Sequence, residues 1–381
     1  MKACMFPGQG SQARGMGGAL FDEFPDLTAK ADAILGYSIK ELCLDDPRKE
    51  LDSTQFTQPA LFVVNALSYV KWMKTAGSKP DFLAGHSLGE FNALLAAECF
   101  DFEVGLKLVQ KRGQLMSRVS GGGMAAVMNA TPEYIETTLK EHGLLNVALA
   151  NFNTPSQIVI SGLKDEVVAA QPFLQKGRVL YFPLKTSGAF HTRFMSDAQK
   201  EFKAFLQTFD ISAPTIPVIS NVNARPYESD AVVETLSQQI ASAVRWSESV
   251  QYLLGLESSD QPIHFEEMGH GDVLVRLVKT IRDQTKTPPK VQGIVSVGGA
   301  APSTAPTGAK VRVEDADAPT VEQKVAAWNR NHPIGTKVKS KLIDARTLET
   351  RTEASVLFGH RAAVYVKDFN GYFDLDEIEA M

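Results

Sequence analysis

Residues 80–90 read Pro-Asp-Phe-Leu-Ala-Gly-His-Ser-Leu-Gly-Glu, and they constrain the fold more tightly than any other stretch of the chain. Phe82 to Ala84 form a short apolar run that reads as the end of a buried strand. From Leu88 onward, Leu88, Phe91, Leu94 and Leu95 recur at helical spacing. Between strand and helix lies Gly85-x-Ser87-x-Gly89, a turn so sharp that small residues must flank the serine: the nucleophile elbow. Such a turn pushes the Ser87 hydroxyl out at the head of a helix, where free N–H groups and the helix dipole favour a developing oxyanion. The G-x-S-x-G pattern is weak alone; its placement between strand and helix gives it weight.

The rest of the chain alternates strands and helices around that turn. Residues 3–6 look like a first buried strand, ended by Pro7. The Gly8-Gln9-Gly10-Ser11-Gln12 loop follows, either a ligand-approaching backbone or a plain tight turn. Residues 15–44 carry helical periodicity broken at Pro25 and Gly36, and Gln58-Pro59 starts a helix reaching Met73. Phe102 to Ser117 forms another, with Val104, Leu108, Leu115 and Met116 on one stripe. Lys111 and Arg112 fall off that stripe, where a lone arginine is ordinarily a solvated charge.

Gly121-Gly122-Gly123 is the clearest break in the first half. Beyond it the pattern runs strand (124–128), helix (132–142), strand (147–151), strand (157–161), helix (164–175), strand (179–184). This β-α-β-β-α-β order is ferredoxin-like and predicts an inserted small subdomain. The chain returns through Ser187-Gly188-Ala189-Phe190-His191 to helical residues 192–207, a strand at 216–220, helical residues 230–254 and a last strand at 264–268. Residues 283–308 are rich in Pro, Gly, Ser and Thr and read as a linker. After it, Thr336 to Leu342, Arg351 to Leu357, Ala362 to Val366 and Tyr372 to Leu375 alternate as strands, with Asp368 to Gly371 as a hairpin turn. The expected divisions are 1–123 with 187–282 as the large subdomain, 124–186 as the insertion, 283–308 as linker and 309–381 as a small β-rich C-terminal domain.

A serine hydroxyl is a poor nucleophile until a base takes its proton. Among seven histidines, His191 is the best candidate, in a Gly/Ala-rich loop where the chain would pass over the elbow; a satisfied loop histidine is the alternative. No acidic residue stands out as a third triad member, so a dyad and a triad both stay open.

Taken together, Gly8-Gln9-Gly10-Ser11-Gln12, Gly85-His86-Ser87-Leu88-Gly89-Glu90, Arg112 within Gln110 to Met116, and Gly188-Ala189-Phe190-His191 resemble the malonyl-CoA:acyl carrier protein transacylases. More narrowly they resemble the free-standing acyltransferases that serve polyketide synthases in trans. The resemblance covers residues 1 to about 282. It implies an α/β-hydrolase-like large subdomain with the ferredoxin-like insertion, Ser87 as acyl carrier and His191 as general base and then acid. It also implies that a main-chain carbonyl orients the histidine, from Gln239 or else Gln238, and that the N–H groups of Gln9 and Leu88 form the oxyanion hole. Arg112 becomes a clamp for the free malonyl carboxylate, and bulky Leu88 and Phe190 crowd the space an α-methyl would fill.

The partners implied are malonyl-CoA and the phosphopantetheine arm of an acidic acyl carrier protein; no cofactor or metal is implied, and a monomer is expected. An acyl hydrolase of the same family is the runner-up, and relatives of that kind typically lack the arginine. A general lipase would leave the Gln9 loop unexplained, and a docking module stays the default for residues 309–381.

Composition agrees. At 381 residues, 44% hydrophobic and 22% charged, the chain is of ordinary globular make-up, and a net charge of −5 gives no support to nucleic-acid binding. Cys4, Cys43 and Cys99 lack CxxC spacing and sit among apolar neighbours, as inert thiols of a reducing compartment do. No signal peptide precedes the first turn and no run approaches a membrane span, so a cytoplasmic protein is expected.

Overall fold

The computed structural model describes residues 1–186, 188–285, 321–340, 347–350, 352–357, 361–367, 372–375 and 378–380. The chain divides into two compact units, Met1–Gly299 and Ala300–Met381.

The first unit opens with β1 (Lys2–Phe6), three short helices α1 (Leu20–Glu23), α2 (Pro25–Leu35) and α3 (Ile39–Leu44), and the long α4 (Thr54–Met73). Next come β2 (Phe82–Gly85), α5 (Gly89–Ala96) and α6 (Phe102–Arg118). A second group follows as β3 (Gly122–Met128), α7 (Pro132–Glu141), β4 (Val147–Thr154), β5 (Gln157–Leu163), α8 (Lys164–Leu174) and β6 (Leu180–Pro183). The unit closes with α9 (Ser196–Leu206), β7 (Val218–Ile219), α10 (Val232–Gln238), α11 (Trp246–Leu254), β8 (His264–Glu267) and α12 (Val273–Gln284).

Two sheets organise these elements. The first is parallel, in the order β7-β2-β1-β8, with Phe6 beside Gly85 at the end that leads into the elbow. Its strands are continuous apolar runs because helices cover both faces: Ala3, Cys4, Met5 and Phe6 are all buried. One core cluster joins α4, α5 and α6 to Cys4, Phe6 and Leu83; another joins α11 and α12 to Ala3, Met5 and Ala84. The second sheet is antiparallel, in the order β4-β5-β3-β6, and packs α7 and α8 through its own core of Ala125, Val127, Ile135, Ile158, Ile160 and Val167. Its element order is the β-α-β-β-α-β read from the sequence.

Local expectations shift in several places. The helix expected from Pro59 begins at Thr54, with Pro59 inside it. The helical stretch expected over 230–254 is broken: α10 passes into a short 3₁₀ turn at Gln239–Ala241, and residues 242–245 are extended before α11. That break has a tertiary cause, because Val244 pairs with β4 of the second sheet, donating to Ala150 O at 2.8 Å and accepting from Phe152 N at 2.9 Å.

The second unit holds a helix that no strand pattern announced, α13 (Val321–Asn331). It also holds β9 (Lys337–Ser340), β10 (Thr347–Glu349), β11 (Ser355–Leu357), β12 (Arg361–Tyr365), β13 (Tyr372–Asp374) and β14 (Ile378–Ala380). The strands form two three-stranded sheets, β10-β9-β14 and β11-β12-β13, so the described part of this unit is β-rich with one helix. The turn expected at Asp368 to Gly371 lies outside the described residues, as does the linker from 286 on. The three cysteines are free and buried, and burial pushes each thiol up to about 12. Among the described residues no helix is long and apolar enough to cross a membrane, and no cluster of His, Cys, Asp or Glu could hold a metal.

Candidate active site

The elbow is tight because its two glycines touch main chain. A Cβ on Gly85 would lie 2.0 Å from Gly89 C, and one on Gly89 would lie 1.9 Å from Phe6 O of β1. Between them Ser87 sits at φ +51°, in the left-handed region that a non-glycine residue adopts only when its surroundings impose it. They do: Ser87 N donates to Asn221 Oδ1 at 2.7 Å, and Asn221 Nδ2 donates to Gly85 O at 2.7 Å. Asn221 closes β7, the next strand of the same sheet, so one amide side chain braces both sides of the turn.

His191, also at positive φ (+60°), reaches the serine with Nε2 2.8 Å from Ser87 Oγ. Its Nδ1 faces two main-chain carbonyls, Gln239 O and Ser242 O, each at 3.0 Å. Two acceptors at Nδ1 require the proton there and leave the Nε2 lone pair free to take one from serine. Burial, and next the Arg112 cation, pull the imidazole pKa down to about 3. The imidazole is therefore neutral at neutral pH. The Gln239 carbonyl is the one engaged; the Gln238 side chain bonds Glu234 at the surface.

Arg112 is not a solvated charge: it is 1% exposed. Nη1 donates to Gln58 Oε1 at 2.8 Å, and Nη2 donates to Gln239 Oε1 at 2.8 Å and Ser87 Oγ at 3.1 Å. Nε has no partner, and no carboxylate among the described residues forms an ion pair with the guanidinium. Burial pulls its pKa down to about 9, with Glu90 opposing, which leaves a cation at neutral pH. Its hydrogen-bond partners are all neutral, with Glu90 acting on it only through space, so the guanidinium keeps capacity for a further acceptor.

Gly8 packs against His86 O and the Leu88 amide, which brings the Gln9 loop over the elbow. The Gln9 side chain donates to Thr54 Oγ1 at 3.2 Å, while the main-chain N–H groups of Gln9 and Leu88 find no acceptor among the described residues. An inner cavity of about 80 Å³ is lined by Gln9, Ser87, Arg112, Phe190 and His191 from the first sheet's side and by Met124, Asn151, Val159 and Leu184 from the second. An outer cavity of about 230 Å³ shares Gln9, His86, Asn151, Val159 and Leu184 with it. Phe190 thus stands at the wall, whereas the Leu88 side chain is fully buried in the core and does not line either cavity. Sequence reasoning did not single out Gln58, Asn221 or Ser242; only a polar residue inside the apolar face of α4 could have drawn attention to Gln58.

The arrangement suits one kind of chemistry: passing an acyl group through a serine ester, beside a cation that can hold a second charged end of the acyl group. Residues 4–297 match the acyl transferase domain family. The polyketide biosynthesis malonyl CoA-acyl carrier protein transacylase BaeC of Bacillus velezensis is 52% identical over 287 residues, 75% of this chain and 98% of that protein. A crystal structure of malonyl CoA-acyl carrier protein transacylase from Burkholderia pseudomallei is 63% identical, with a TM-score of 0.74 over 75% of this chain and 99% of that one. A complex of a type II polyketide acyl-carrier protein with its malonyl-transacylase, PlMCAT:AntF, matches at 34% identity and a TM-score of 0.69, over 74% and 93%. The chain belongs to the acyl transferase family, and within it to the malonyl-CoA:acyl carrier protein transacylases.

Proposed function

We propose that the protein transfers a malonyl group from malonyl-CoA to the phosphopantetheine thiol of an acyl carrier protein, supplying extender units to a polyketide synthase. The observation that carries the reading is the buried, unpaired Arg112 cation 3.1 Å from the nucleophilic oxygen. Ser87 Oγ attacks the thioester carbonyl while His191 Nε2 takes its proton, and the N–H groups of Gln9 and Leu88 receive the oxyanion. The C–S bond breaks, and the proton goes from Nε2 to the departing CoA sulfur. The carrier thiol then gives its proton to His191, attacks the malonyl ester, and Ser87 Oγ leaves reprotonated. Gln239 O keeps the Nδ1 proton in place throughout. Arg112 pairs with the free malonyl carboxylate, and a neutral acyl chain would leave it buried without its anion. Phe190, at the cavity wall, crowds an α-methyl group.

The same reading divides the chain into an α/β-hydrolase-like body (1–123 and 187–282), a ferredoxin-like insertion (124–186), a linker (283–308) and a C-terminal domain (309–381), acting as a monomer in the cytoplasm.

Intact-protein mass spectrometry after mixing with malonyl-CoA or acetyl-CoA tests the proposal. A malonyl adduct is expected that disappears in Ser87→Ala, falls ~10–100-fold in Arg112→Ala, and passes to an added holo carrier protein. Equal loading of acetyl would sink the clamp. An adduct lost to water without reaching the carrier would make the protein an acyl hydrolase.

A further inference from the structure

Glu90 stands directly behind the nucleophile and takes part in none of the steps above. It is completely buried, and every group that reaches it is a donor. Tyr227 Oη and Asn221 N donate to Oε1, at 2.5 and 3.1 Å, and Gln239 Nε2 donates to Oε2 at 2.6 Å. Burial pushes the Glu90 carboxyl up to about 7, and the three donors act against it; an ionised carboxylate only accepts, so three convergent donors favour the charged form.

The consequence falls on Gln239. A primary amide can be turned either way round about its last bond, and its neighbours decide which. Here an acceptor-only carboxylate at 2.6 Å dictates that Nε2 face Glu90, and the same Nε2 donates to Ser87 O at 2.7 Å. The amide oxygen must then face the other way, where it accepts Arg112 Nη2 at 2.8 Å. Turned round, the amide would set N–H groups against the guanidinium and an oxygen against two acceptors, so every contact would fail together. We propose that Glu90 is a positioning residue for substrate selection: by fixing the orientation of the Gln239 amide, it holds the Arg112 guanidinium beside Ser87, where the free carboxylate of the incoming acyl group is met. The proposal rests on the malonyl-transfer reading.

Its test is the ratio of malonyl to acetyl loading on Ser87, by intact mass at matched CoA thioester concentrations, in the full chain. Glu90→Gln keeps the volume but presents a donor as well as an acceptor, so the Gln239 amide loses the shortest of the three contacts that orient it. The malonyl-to-acetyl ratio is expected to fall ~10-fold or more, the scale of an ångström-sized misplacement. Gln239→Met, which keeps the main-chain carbonyl under His191 but deletes the amide, should give the same fall, and Gln238→Met should leave the ratio as in the wild type. Parallel losses of malonyl and acetyl loading in Glu90→Gln, or an unchanged ratio, would overturn the proposal, since a packing role alone predicts them. If Glu90→Gln does not fold, Gln239→Met decides: a wild-type ratio there removes the path by which Glu90 acts. A wild type that forms no malonyl adduct would instead defeat the malonyl-transfer reading itself.

Discussion

His191 combines two demands that pull against each other: it must be dry enough to stay neutral, yet must accept a proton during each half-reaction. Its two carbonyl acceptors at Nδ1 resolve this, because they stabilise the imidazolium once it forms without supplying a full negative charge beforehand. The neutral resting state has a cost that appears in stability. The folded-state pKa is about 3 against an ordinary 6.5, so as pH falls below 6.5 the unfolded chain takes up a proton that the folded chain refuses. This stability is present above 6.5 and drains away toward pH 3. Thermal melts between pH 6.5 and 4 should show the wild type losing more stability than His191→Asn, which has no such group to titrate. Equal losses would mean that the ring is already protonated in the fold.

At the scale of elements, α5 is pressed onto the end of β1 so closely that Gly89 admits no side chain. Gly89→Ala is expected to cost at least ~3 kcal/mol, the upper range for overpacking, because the clash is with main chain that cannot rotate away; urea unfolding measures it, and a near-neutral result would contradict the packing described. This junction was legible in the sequence because its glycine spacing is local: Gly85, Ser87 and Gly89 fall within five residues, although Phe6 and Asn221, which press and brace them, lie far along the chain. The order of elements in the antiparallel sheet was legible for a related reason, each of its strands and helices carrying its own period. Arg112 was not legible from its helix. The residues that bury and bind it, Gln58 and Gln239, lie 54 and 127 positions away, and no helical stripe records partners at that distance. Only its resemblance to a family pattern identified it. The break in the helical stretch after Gln239 escaped for the same reason, since the strand that imposes it belongs to the antiparallel sheet.

Over the whole molecule, all the residues of the site lie in the first unit, and the family match ends at residue 297. A chain ending at Gly299 should therefore form the malonyl adduct at the rate of the full chain; a slower rate in a folded truncation would assign the second unit a part in loading. Within the first unit, the two ends of the segment that carries the antiparallel sheet meet, for Gly122 packs against the main chain of Ala189. Met124, Asn151, Val159 and Leu184 of the cavity wall lie between these ends, where β4 is also tied to the rest of the unit through Val244, while Ser87, Arg112 and His191 belong to the flanking chain. Exchanging this segment for a relative's would re-line the acyl chamber, but only a replacement that keeps the pairing of β4 with Val244 would leave undisturbed the neighbouring Ser242 carbonyl that faces His191.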